Sequence, residues 1–134
     1  MLSKAPWKAI ALVIVSQSLA AATAYAHHSF ASVDMRKTLT VSGTIKEFRW
    51  GAPHSSMVLT YKSGDTHANM SVISGSPYAF TRAGFAPRDF KRGDKVTVVY
   101  HPNVNGLPGG AMAKLILPDG RTYSDTETTR AAAQ

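Results

Sequence analysis

The sequence predicts an all-β domain carrying one short helix. Two observations predict it: apolar residues recur with a period of two in five separate runs, and a single capped helical stretch falls between the third run and the fourth. A third, the absence of cysteine, removes disulfide frameworks and means that packing alone must hold the domain together.

The first run spans Thr38 to Trp50. Leu39, Val41 and Ile45 alternate, with Gly43 between them, and the apolar phase then changes to Phe48 and Trp50. A change of phase inside one long strand implies a β-bulge or a sharp coil. Met57, Leu59 and Tyr61 make the second run, and Ser63-Gly64-Asp65 supplies the turn into a third around Ala68 to Ile73. Ser76 then stands as an N-cap, Pro77 as the first helical position, and Gly84 as the close of about two turns through Tyr78, Phe80 and Arg82. So short a helix is unstable alone and must lie on something apolar. After the turn Lys91-Arg92-Gly93-Asp94, a fourth strand covers Lys95 to His101 with Val96, Val98 and Tyr100 on one face. A connection rich in Gly, Pro and Asn from Pro102 to Gly110 leads to a fifth strand, Ala111 to Leu117, which Pro118-Asp119-Gly120 ends.

Three strands, a helix and two strands, with a coiled first strand, is the order of the five-stranded OB-type barrel, β-β-β-α-β-β. An open antiparallel sandwich is the alternative. Residues Ser124 to Gln134 show no apolar period, so residues 124–134 are expected to form a disordered tail behind a domain at 27–123.

Residues 1–26 read as a secretory signal peptide: Lys4 and Lys8 begin it, Ala9 to Val15 form its apolar run, and Ala24-Tyr25-Ala26 meets the small-x-small rule for cleavage. Ala22-Thr23-Ala24 meets the same rule two residues earlier. The apolar run is too short to span a bilayer. A periplasmic or secreted location follows, with no stable membrane span after cleavage.

Fifteen basic against eight acidic residues give a formal charge of +7, spread along the chain without a run. No nucleophile elbow, phosphate-binding glycine loop or His-Glu-x-x-His motif is present, and the two glutamates, Glu47 and Glu127, are far apart in sequence. The chain therefore offers no recognisable catalytic apparatus. Arg49, Arg82, Arg88, Lys91 and Arg92 with Phe48, Trp50 and Phe85 contain the ingredients of a single-strand nucleic-acid surface. Export argues against such a partner, and mixed charges over a core account for the same residues.

The histidines carry the strongest chemical signal. Cleavage after Ala26 leaves His27 with a free α-amine beside its imidazole, a pair that can close a chelate ring, followed by His28. Both groups lose a proton at modest cost near neutral pH. Nitrogen ligands suit Cu(II) and Zn(II), with Cu(II) favoured at equal geometry, and His28, His54 or His101 would complete the set. Against this, adjacent histidines on a strand face opposite ways, so one of the pair at most joins a given cluster. Met57, Met70 and Met112 with His54 and Trp50 resemble the ingredients of a Cu(I) site in small periplasmic copper and silver chaperones, although methionine in phase with apolar neighbours is usually core filler. An oxidative copper enzyme with an N-terminal histidine brace is a further alternative. A different class again is an envelope interaction module that docks a protein, peptide or small ligand on its sheet face.

His27-His28-Ser29-Phe30, Gly43-Thr44-Ile45 with Phe48, Trp50 and Pro53-His54, Gly75-Ser76-Pro77, Arg82, Gly84-Phe85, Gly93-Asp94-Lys95-Val96, His101-Pro102 and Leu117-Pro118-Asp119-Gly120 together resemble a domain-of-unknown-function family of small exported bacterial proteins with a mature His-His-Ser-Phe start. The resemblance covers nearly all of residues 27–123 and implies an envelope location and a compact β domain, with His27, His28 and His54 as the positions to watch. The chain departs from the family pattern at Ala52, where Asn precedes the Pro-His pair, and at Ile73-Ser74, where a glutamate precedes Gly-Ser-Pro. Loss of a polar pair that orients ligands would weaken a site there.

Overall fold

The computed structural model describes residues 30–133. The chain runs β1 (Leu39–Arg49), β2 (Ser56–Ser63), β3 (Thr66–Ile73), α1 (Pro77–Arg82), a 3-10 turn at Pro87–Asp89, β4 (Lys95–Pro102), β5 (Gly109–Ile116), β6 (Thr122–Ser124) and α2 (Thr126–Ala132). The hydrogen-bonded order is β3-β2-β1-β4-β5-β6, and a parallel pairing of β3 with β5 closes the first five strands into a ring. This is the predicted five-stranded barrel of OB-like connectivity.

The coiled first strand makes the closure possible. β1 pairs with β4 through Leu39–Thr44 and with β2 through Gly43–Arg49, so Gly43 and Thr44 belong to both halves of the barrel. The register slips between Ile45 and Glu47, which leaves Lys46 as the bulged residue and explains the change of apolar phase. A side chain at Gly43 would run into the Thr60 carbonyl oxygen and approach Leu59 Cγ at 2.9 Å, so the bend requires glycine. The β2–β3 hairpin turns at Gly64, in the left-handed region at φ 59°, and fixes the pairing Lys62↔His67.

The predicted helix is present and capped as expected: Ser76 Oγ accepts from Ala79 N at 3.4 Å, and Gly84 reverses the chain at φ 85°. Its one fully buried side chain, Phe80, stacks on Tyr123 at 3.9 Å between ring centroids and meets Phe48 edge-on at 5.5 Å. Phe90 and Trp50 complete this aromatic cluster. Met57, Leu59, Val72, Val98, Met112 and Leu115, all fully buried, fill the rest of the interior.

Two elements differ from expectation. The fifth strand begins at Gly109, not at Ala111, because Gly109 and Gly110 adopt φ 113° and 149° and lie against the backbones of Ser71 and His101. Side chains would clash there, so the Gly-Gly pair that reads as a flexible connection is the parallel seam of the barrel. The expected disordered tail is also corrected. β6 pairs with Lys114–Ile116, and α2 follows under an Asp125 cap whose side chain accepts from Thr128 N at 2.8 Å. Its anchors are polar apart from Tyr123, which is why no apolar period announced it.

Candidate functional site

The solvent face of the barrel is concave where β1 passes between β2 and β4. Outward residues of three adjacent strands share rungs there: Thr44 faces Thr60 on β2 and Lys95 on β4, while Ser42 faces Thr97. The resulting groove has a volume of about 480 Å³, within the range of small-ligand sites. Lys62 and His67, cross-strand partners on the hairpin, form one wall, and Lys95 stands on the other.

The hydroxyls of the groove are already ordered. Ser42 Oγ and Thr97 Oγ1 share a hydrogen bond at 3.0 Å, and Thr60 Oγ1 donates to Asn69 Oδ1 at 2.7 Å. No carboxylate lines the groove. Of the acidic groups at the adjoining strand ends, Asp94 accepts from Lys91 N at 3.2 Å, and Asp119 pairs with Arg121 at 2.8 Å. The groove is thus a polar, cationic depression with pre-set hydroxyls, suited to holding a ligand. Sequence patterning missed Lys62 and Lys95, which read individually as solvated strand residues. The turn at Ser63-Gly64-Asp65, which sets Lys62 against His67, was the signal available.

The four histidines singled out by sequence fall in different places. His27 and His28 lie outside the described residues. His54 is half-buried in the β1–β2 connection, next to Ser55, whose amide donates to the Gly75 carbonyl at 2.9 Å. His101 is buried near the end of β4, and its Nδ1 lies 2.7 Å from the Lys37 carbonyl oxygen. A carbonyl can only accept, so Nδ1 is the donor in this contact, which leaves Nε2 as the ring nitrogen through which a neutral imidazole would ligate a metal. His54 lies in the connection between β1 and β2, whereas His101 is on β4 and pairs with Ala111 of β5, so no strand pairing sets the two histidines side by side. Among the described residues no group of three or more His, Cys, Asp or Glu side chains is placed to hold a metal ion.

Met57, Met70 and Met112 are all buried in the barrel core among aliphatic side chains, which is the packing role. Phe85 is likewise buried, and Phe48 and Trp50 pack on the core cluster, so these rings do not form an exposed stacking surface.

A second polar constellation, unforeseen from sequence, ties the C-terminus to α1. Asp125 Oδ2 accepts from Gly75 N at 2.6 Å. Glu127 accepts from Ser76 N at 3.1 Å and from Ser76 Oγ at 2.7 Å. Burial raises the Asp125 carboxyl above its ordinary range, against the lowering effect of the Thr128 and Gly75 amides. Burial beside the charges of Asp125 and Glu127 pushes the Tyr123 phenol far up. With every carboxylate oxygen given an amide or hydroxyl partner, the cluster works as a structural clamp.

No curated protein matches the chain. A family model does: it covers residues 13–112, and the chain therefore belongs to DUF6152, a family of unknown function.

Proposed function

We propose that the protein is a non-catalytic binding module of the cell envelope, exported by the segment 1–26, that receives a small ligand or a peptide on the outer face of its barrel. One observation carries this reading: the groove of about 480 Å³ over β1, β2 and β4, with ordered hydroxyls and cationic walls. Its strands belong to the barrel wall, and a site on regular strands needs little ordering on binding. Neither nucleic acid nor a membrane span is part of the proposal. A fragment screen by NMR tests it, with wild type compared to the groove-filling Thr44→Trp variant. Hits that shift amides of β1, β2 and β4 and vanish in the variant support the reading; hits scattered over other faces, or unaffected by the variant, refute it.

A second reading keeps a specific observation of its own. The protein would capture copper or zinc through the amine and imidazole of His27, with His28, His54 or His101 supplying a further nitrogen. The bond from His101 Nδ1 to the Lys37 carbonyl supports it, because an orienting carbonyl is the usual companion of a ligating imidazole. Intact mass of the exported protein should show a start at His27. Copper calorimetry should then lose at least tenfold in affinity with His27→Ala and with one of His54→Ala or His101→Ala. Equal, weak binding in wild type and all variants removes the metal reading, and binding abolished by EDTA removes the first one.

A further inference from the structure

The groove proposed above as the docking face has a charge pattern that goes further than its shape. Lys62 on β2, His67 on β3 and Lys95 on β4 all border it, while no Asp or Glu does. Lys62 and His67 face each other directly across the hairpin. An ammonium has three donors and no acceptor, so even one turned toward the imidazole across the pair keeps donors free for an acceptor group bound between them. Of the acidic groups near the strand ends, Asp94 accepts from the Lys91 amide and Asp119 pairs with Arg121, while Asp65, in the turn between Lys62 and His67, is outside the groove lining.

Spacing favours a shared target. Lys62 lies two residues beyond the rung Thr60–Thr44–Lys95, and β2 and β4 are separated only by β1. Two strand spacings across and two residues along put the two lysine Cα atoms roughly 12 Å apart. Two flexible four-carbon side chains can close that distance on one bound group. Thr44, on the central strand between them, adds a hydroxyl donor at the floor. Opposite charges held in a walled groove are attracted more strongly than on an open surface.

Resting on the docking reading, we infer that this groove is an oxyanion site, taking a small ligand through a phosphate or carboxylate group held by Lys62, His67 and Lys95. Phosphate and carboxylate share the chemistry required, several acceptor oxygens around a delocalised negative charge, and the test separates them.

The test is an amide NMR titration of the exported protein with pyrophosphate, with citrate and with neutral trehalose, each at 150 mM salt. Pyrophosphate or citrate should shift Thr44, Thr60, Lys62, His67 and Lys95 together. Lys62→Gln and Lys95→Gln should each weaken that binding at least fivefold, while Lys37→Gln, just before the far end of β1 and outside the groove lining, leaves it within twofold. The stronger of the two anions identifies the favoured group. Failure of both anions to shift these amides, or shifts indifferent to the lysine substitutions, overturns the inference. If trehalose or neutral fragments shift the same amides while the anions do not, the docking face stands and the oxyanion assignment alone falls. The lysine variants are on the surface, and an unchanged thermal melt confirms that they fold.

Discussion

Replacement of Asp125 by alanine is the sharpest probe of how the C-terminus is held. The side chain is fully buried, accepts from Gly75 N at 2.6 Å and from Thr128 N at 2.8 Å, and so serves a loop fifty residues away as well as its own helix. Truncation strands a buried Gly75 amide and uncaps α2. A buried donor left unsatisfied costs about 1–3 kcal/mol, and a lost N-cap costs about 1 kcal/mol. The expected loss is therefore about 2–4 kcal/mol, a large share of the roughly 5–15 kcal/mol that holds a domain of this size. Urea unfolding followed by Trp50 fluorescence measures it, since Trp50 lies 5.4 Å from Phe80 in the cluster that the clamp supports. The dependence on pH sharpens the test. Burial raises the folded carboxyl above the ordinary aspartate value, so in the window above that value the folded state binds more protons than the unfolded chain. Stability contributed by this group is then fullest below the unfolded value and declines as pH rises through the folded one. Wild type should lose part of its advantage over Asp125→Ala as pH rises from acid toward neutral. A variant within 0.5 kcal/mol of wild type, or an advantage that grows with pH, refutes the clamp as described.

Gly43→Ala should destabilise by about 1–3 kcal/mol, because its Cβ meets the Thr60 carbonyl and the Leu59 side chain; that corresponds to a melting point lower by roughly 5–20 °C in a differential scan, and an unchanged melt would mean that β1 bends elsewhere. Arg121→Gln removes the guanidinium that donates to Asp89 Oδ1 at 2.9 Å. Hydrogen bonds from Arg121 first and the Ala86 amide second hold the Asp89 carboxyl below its ordinary range, so its stabilisation is present above the unfolded value and lost as pH falls through the folded one. A carboxyl-carbon NMR titration should show the Asp89 midpoint move upward in the variant; an unmoved midpoint would assign the lowering to the amide alone.

The barrel was legible because each element carried its own local signature. The alternation in β1, its change of phase before Phe48, and the Ser76-Pro77…Gly84 punctuation of α1 are short-range facts, and each survives in the fold as a strand, a bulge at Lys46 and a capped helix. The two misreadings involve residues whose role is set by partners distant in sequence. Gly109 and Gly110 resemble any loop glycines until Ser71 and His101 are placed against them. Asp125 and Glu127 resemble tail residues until the loop at Gly75-Ser76 arrives with three polar hydrogens to satisfy.

The same distinction decides what the histidines and lysines could reveal. A histidine announces itself as a possible ligand by residue type alone, so His54 and His101 were conspicuous from the outset. The barrel nevertheless seats one in the β1–β2 connection and the other on β4 against β5, and their conspicuousness said nothing about proximity. Lys62, His67 and Lys95 are unremarkable one at a time, since solvent-facing strand positions commonly carry such residues. Their joint meaning depends on register: the hairpin turn sets Lys62 against His67, and the dual pairing of β1 at Gly43–Thr44 brings the β4 lysine to the same depression. A binding face built across three strands has no contiguous motif, so it becomes visible only when strand order and register are both known.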